Sequence, residues 1–164
     1  MPKIQAGAAA PVFALAGVDG QQYSLTDALK KGPVLAAFFK VSCPVCQFTF
    51  PFLERIYESY GDGKVSFWGV SQDNAHDTKE FLDEYGVKFP TLIDADGYKV
   101  TKQYGLTNVP SIFLIQPDGK VQTASAGFAK KDLETMAAEI AKASGKTTQA
   151  LFRPGEKIPE FKAG

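Results

Sequence analysis

The feature that most constrains this chain is a run of six apolar residues, Val34-Leu35-Ala36-Ala37-Phe38-Phe39, that leads four residues later into Cys43-Pro44-Val45-Cys46. A continuous apolar run of that length is what a central parallel strand, covered on both faces, presents. Behind the cysteines, Val45, Phe48, Phe52, Ile56 and Tyr60 recur at spacings of three and four, which predicts an amphipathic helix stopped by Gly61-Asp62-Gly63. Pro51 falls inside this pattern and predicts a kink. The two cysteines therefore stand where a buried strand gives way to a helix N-terminus.

The rest of the chain repeats that alternation. Residues 12–15 and 21–24, separated by a Gly-bounded turn, predict a short hairpin, and 24–31 one or two helical turns stopped by Gly32-Pro33. Residues 65–70 read as a second apolar strand. A helix capped by Asp73 or Asn74 follows, with Phe81, Leu82 and Tyr85 on one face and Gly86 at its end. Residues 91–94 suggest a strand, 98–104 a short helix, and 111–115 with 120–126 a hairpin about Pro117-Asp118-Gly119. Leu133, Met136, Ala137, Ile140, Ala141 and Ser144 then mark a last helix that ends at Gly145. Strand–helix alternation predicts parallel strands with crossover helices, and the late hairpin adds antiparallel pairing. The expected fold is a three-layer mixed-sheet α/β domain over residues 1–145, followed by an extended tail over 146–164.

Composition matters here for what it excludes. At 164 residues the chain suits one domain, and 18 basic residues balance 18 acidic ones. Arginine occurs only at Arg55 and Arg153, so the basic stripe of a nucleic-acid partner is missing. No apolar run approaches the ~20 residues of a membrane span. The opening Met1-Pro2-Lys3-Ile4 has no apolar segment behind it, so no secretory leader is read and the expected location is cytoplasmic.

Two cysteines two residues apart make no disulfide framework, and their short loop gains little from closure. Their placement points to chemistry. A thiolate at a helix N-terminus is stabilised by free N–H groups and the helix dipole. Cys43 would sit there, with Pro44 at a position that needs no N–H donor. Cys46, one turn on, is shielded yet within reach, which makes Cys43 the nucleophile and Cys46 the resolving thiol. The alternatives are two buried structural thiols or half of a zinc site. Zinc needs four ligands, and the chain offers two cysteines and the single His76. His76 reads as an exposed cap-region residue, Trp68 as core, and Asp94 with Asp96 as turn chemistry.

These residues, in this order, resemble the redoxin branch of the thioredoxin-like superfamily, shared by TlpA-type thiol–disulfide oxidoreductases and the AhpC/TSA proteins. The likeness runs from about Gly7 to Gly145. It rests on Gly7-x3-Pro11-x-Phe13, the strand into Cys43-Pro44-Val45-Cys46, Pro51, Val70-Ser71-Gln72-Asp73, Phe89-Pro90-Thr91 with Asp94, Val109-Pro110-Ser111-Ile112-Phe113-Leu114-Ile115, and Pro117-Asp118-Gly119-Lys120-Val121. The resemblance implies a thioredoxin-like α/β/α sandwich with an N-terminal β-hairpin. It also implies a cis bond at Val109-Pro110 that leaves the backbone of residue 109 open for strand-like pairing with a substrate chain. A strand-start proline in the trans form is the other reading of Pro110.

The departures are informative. Thioredoxins carry a buried acid six positions before the first cysteine, where this chain has Ala37. TlpA-type reductases often carry Glu three positions after the second, where it has Thr49. The aromatic that commonly precedes the motif is Ser42. Neither cysteine has the Pro-x3-Thr/Ser-x2-Cys setting of a peroxiredoxin.

The expected function is thiol–disulfide exchange through Cys43 and Cys46, with Val109 and Pro110 binding substrate. No organic cofactor or metal is implied. The partners would be a disulfide-containing protein or small thiol substrate and an upstream thiol donor, and the chain a monomer or weak dimer. A thiol peroxidase on the same scaffold and a non-enzymatic redox-sensing module are the rival readings. Lys40, three residues before Cys43, is a candidate for stabilising the thiolate, or else a stem that reaches to solvent. The tail carries Leu151, Phe152, Ile158 and Phe161, and Gly155-x3-Pro159-x-Phe161 repeats the spacing of Gly7-x3-Pro11-x-Phe13. Burial of those residues would gain roughly 1.5–3 kcal/mol each, so the tail is expected to dock rather than wave free as chain ends commonly do.

Overall fold

The computed structural model describes residues 4–164. The expectation that no leader opens the chain drew on Met1, Pro2 and Lys3, which lie outside the described residues.

The apolar run becomes β3 (Val34–Phe39), every residue of it buried. It is the middle of a five-stranded sheet in the order β5-β4-β3-β6-β7, with β4 at Ser66–Ser71, β5 at Thr91–Ile93, β6 at Ser111–Ile115 and β7 at Val121–Ala126. β3 pairs parallel with β4, and β4 with β5. β6 and β7 run antiparallel, with a register shift between Leu114 and Ile115. This is the mixed sheet of a thioredoxin-like fold.

Side chains of β3 alternate between the sheet's two faces. Phe39 meets Phe50 of α2 (Pro44–Tyr60) and Phe81 of α3 (Ala75–Tyr85). Phe38 points the other way, onto Tyr104 and Phe113. That second face is closed by the N-terminal hairpin, β1 (Ala14–Ala16) with β2 (Gln22–Ser24), which brings Tyr23 onto Trp68. Ser24 caps the short α1 (Leu25–Leu29). Asn74 caps α3, and Gly86 ends it in the left-handed conformation. Asp94 does more than turn chemistry. Buried, it accepts the N–H groups of Val100 and Thr101 and the Thr101 hydroxyl, so it anchors the first turn of α4 (Lys99–Gln103).

α2 runs through Pro51 as one helix, and α5 (Lys130–Ala143) packs beside it. Two short strands escape any sequence period: β8 (Phe128–Ala129) pairs antiparallel with β9 (Phe161–Lys162). Among the described residues no helix is long and apolar enough to cross a membrane.

The residues after Gly145 retrace α2 from its end toward its start. Lys146 reaches the Ser59 carbonyl and Asp62, and the Gln149 N–H donates to the Tyr60 hydroxyl. Arg55 donates to the Leu151 carbonyl and makes a two-pronged pair with Glu156 (2.9 and 2.6 Å). Phe152 packs on Phe52 and Phe128. Leu151, Phe152 and Ile158 lie half-buried against the core, but Phe161 does not: it stays 59% exposed on a two-residue edge strand.

Candidate active site

Cys43 occupies the cap position of α2. Its backbone is extended and its Sγ takes the place that a Ser or Asp oxygen fills in an ordinary cap, accepting the Cys46 N–H at 3.1 Å. Pro44 is the first helical residue, where its missing N–H costs nothing. The loop that presents Cys43 is held from both sides. The Val41 N–H donates to Asp73 (2.8 Å), the Gln47 side chain donates to the Val41 carbonyl (2.9 Å), and the Cys43 N–H donates to the Lys40 carbonyl.

The two thiols are free and unequal. Cys43 is half-exposed, whereas Cys46 has no exposed surface. Burial pushes the Cys46 thiol well above its ordinary pKa, and its contact with the Cys43 sulfur adds to the rise. Ala37 is buried in β3, and Thr49 is buried with its hydroxyl donating to the Val45 carbonyl (2.7 Å). At both positions where the family often places a carboxylate, this chain has a group that takes no proton.

Val109 and Pro110 face the pair. The Val109–Pro110 bond is cis, and the Cys43 thiol donates to the Val109 carbonyl at 3.6 Å. The Gly127 N–H holds the Pro110 carbonyl (2.8 Å). The Val109 backbone is not open, however. Val109 is only 8% exposed, and Gly164 lies so close that a Cβ on it would stand 2.1 Å from the Val109 oxygen and 3.2 Å from Pro110 Cδ.

Lys40 is exposed and lines a cavity of about 260 Å³ with Gln72, Thr101, Lys102, Asn108 and Val109. Lys40 and Cys43 thus share a loop, and Val109 borders both the cavity and the Cys43 thiol. A larger cavity of about 490 Å³, bordered by Tyr57, Trp68 and Pro90, contains neither cysteine. His76 is exposed on α3 and paired with Glu80, and it takes no part in the site.

Sequence reasoning missed the tail's share in this region. Phe48 and Phe52, read from the sequence as part of the apolar stripe of α2, line up with Arg55 at spacings of four and three, and this edge of the stripe receives the tail. An arginine continuing two phenylalanines was the available signal.

The AhpC/TSA family model matches residues 6–124. The thiol-disulfide oxidoreductase ResA of Bacillus anthracis is 33% identical over 131 residues, covering 79% of this chain and 75% of that protein. The thioredoxin-like protein YneN of Bacillus subtilis is 31% identical over 136 residues, covering 80% and 78%. Among solved structures, the thioredoxin domain of a thiol-disulfide oxidoreductase from Bacteroides vulgatus superposes with a TM-score of 0.73 at 25% identity, over 83% of this chain and 97% of that one.

Proposed function

The chain belongs to the AhpC/TSA family and is a thiol–disulfide oxidoreductase of thioredoxin-like fold, and we propose that Cys43 is its nucleophile, Cys46 its resolving thiol and Val109 its substrate-docking residue. The observation that carries the assignment is the asymmetry of the pair. Cys43 is reachable and receives a helix N–H at its sulfur, while Cys46 is enclosed and hard to ionise.

The exchange runs in two steps. The Cys43 thiolate attacks one sulfur of a substrate disulfide; that S–S bond breaks, a Cys43–substrate bond forms, and the other substrate sulfur leaves as a thiolate. Cys46, deprotonated, attacks the Cys43 sulfur; the second substrate thiolate leaves and Cys43–Cys46 becomes a disulfide. Two electrons pass from the dithiol to the substrate, and the protons given up by the pair end on the two substrate thiols. A separate thiol donor then reduces the Cys43–Cys46 bond. Protein disulfides are the substrate class, docked in extended form against Val109 beside Pro110. Lys40, which borders the cavity beside Val109, is the cation proposed to act on the attacking sulfur.

Cys46→Ser should accumulate mixed disulfides with a substrate, and Cys43→Ser should accumulate none. Mass spectrometry after a short exposure to limiting iodoacetamide at neutral pH should find the label on Cys43. Preferential labelling of Cys46 would reverse the assignment. Lys40→Met should slow that labelling, and an unchanged rate would remove Lys40 from the mechanism.

A further inference from the structure

We propose that residues 161–164 determine substrate selectivity: they fill the edge at Val109 where an extended protein segment would dock, so that small disulfides reach Cys43 freely while protein disulfides must first displace this strap. The proposal rests on the assignment of Cys43 as nucleophile and Val109 as docking residue.

Three observations converge. The tail follows α2 back toward the cysteines, from Tyr60 (Gln149) through Arg55 and Phe52 (Leu151, Phe152 and Glu156) to Phe48, over whose ring Lys162 Nζ sits at 5.1 Å. The strap passes over the peptide that faces Cys43. Gly164 packs so tightly there that only a residue without a side chain fits, its imagined Cβ lying 2.1 Å from the Val109 oxygen. A matching close approach holds the strap from the other side, since a Cβ on Gly127 would stand 2.4 Å from the Lys162 carbonyl oxygen. Gly127 thus gives the strap its bed, and Gly164 lets the strap close onto Val109.

The anchorage is graded. Up to Glu160 the tail is tied by the Arg55–Glu156 pair, by buried aromatic contact and by the Lys130 N–H on the Glu160 carbonyl (3.0 Å). Beyond it, among the described residues, stand the two-residue pairing of β9 with β8, one cation over Phe48 and the close approaches at Gly127 and Val109, while Phe161 is exposed. A segment held lightly beyond a firm anchor is an element that a competing strand can lift without unfolding that anchor.

The test compares the full chain, a form ending at Glu160, and Gly164→Val, whose added side chain has no room against Val109 but leaves the length unchanged. Each is reduced and mixed in single turnover with insulin or with bis(2-hydroxyethyl) disulfide, the Cys43–Cys46 dithiol supplying both electrons. Both variants should reduce insulin at least about fivefold faster, a gain that would correspond to a site closed about four-fifths of the time in the full chain. The small disulfide should change by less than about twofold. No change with insulin, or an equal gain with both disulfides, would overturn the proposal. Labelling of Cys43 by iodoacetamide and by a polymer-linked maleimide needs no turnover. If no form reduces either disulfide, the proposed function fails, and the ratio of the two labelling rates still decides the strap: a bulky reagent that gains nothing in the variants sinks it.

Discussion

Two stretches of this chain share a spacing, Gly7-x3-Pro11-x-Phe13 and Gly155-x3-Pro159-x-Phe161, and both glycines have positive φ (90° and 84°). Their fates differ. The first is stitched to the end of the sheet by backbone bonds from Gly7 to Val121, Ala10 to Gly119 and Val121 to Ala8, and the Tyr104 hydroxyl holds the Pro11 carbonyl. Phe13 then closes a pocket between Trp68 and Tyr104. The second is held chiefly by the Arg55–Glu156 pair and by backbone bonds only at its end, where the Lys130 N–H meets the Glu160 carbonyl and β9 pairs with β8, and its Phe161 lies on the surface. A local pattern sets an extended path. What lies beneath that path decides whether the segment becomes core or a movable border.

The largest contrast should come from the two phenylalanines. Phe13→Ala removes an aromatic that is 8% exposed and should cost about 3–5 kcal/mol in denaturant unfolding. Phe161→Ala should change stability by less than about 0.5 kcal/mol. Similar losses at both sites would erase the distinction.

Acid should separate the segments next. The Arg55 guanidinium and the Arg153 N–H hold the Glu156 carboxyl at about 2, below its ordinary 4.5, and the same pairing raises Arg55. A depressed acid contributes stability that is complete above its unfolded value and is lost as pH falls through the folded one. Protection of backbone amides in residues 150–160 should therefore decline between about pH 4.5 and 2, while residues 7–13, which have no ionisable side chain, keep theirs. Hydrogen exchange across that window reads both, and Glu156→Gln should show the low-pH pattern already at pH 7. Parallel loss in both segments would point to global acid unfolding instead.

The smallest effect concerns the glycines. Each sits in open space at positive φ, so Gly7→Ala and Gly155→Ala should each cost about 1 kcal/mol from backbone strain alone. The first should appear as a lower global Tm. The second should appear as faster proteolysis after residue 150 with an unchanged Tm.

Much of the fold was legible because its elements carry their own period. The apolar run of β3, the three-and-four stripe of α2 and the Gly86 and Gly145 stops appear where the sequence places them. The Cys43–Cys46 junction was legible for the same reason, since strand and helix each announce themselves on either side. β8 and β9 were not: two-residue strands have no alternation to read. The Arg55–Glu156 pair joins residues about a hundred positions apart, and nothing local in either marks the other. The cover that Gly164 places on Val109 was hidden too, because a glycine at that position earns its place by what it lacks.

The enclosure of Cys46 has a consequence in time. Once Cys43 is bonded to a substrate, release waits on a thiol that burial keeps protonated, with Ala37 and Thr49 in place of a carboxylate to draw the proton away. On the proposed division of labour, capture is quick and let-go is slow. The covalent complex then has a dwell time set by how often Cys46 loses its proton, which lengthens as the medium becomes more acidic.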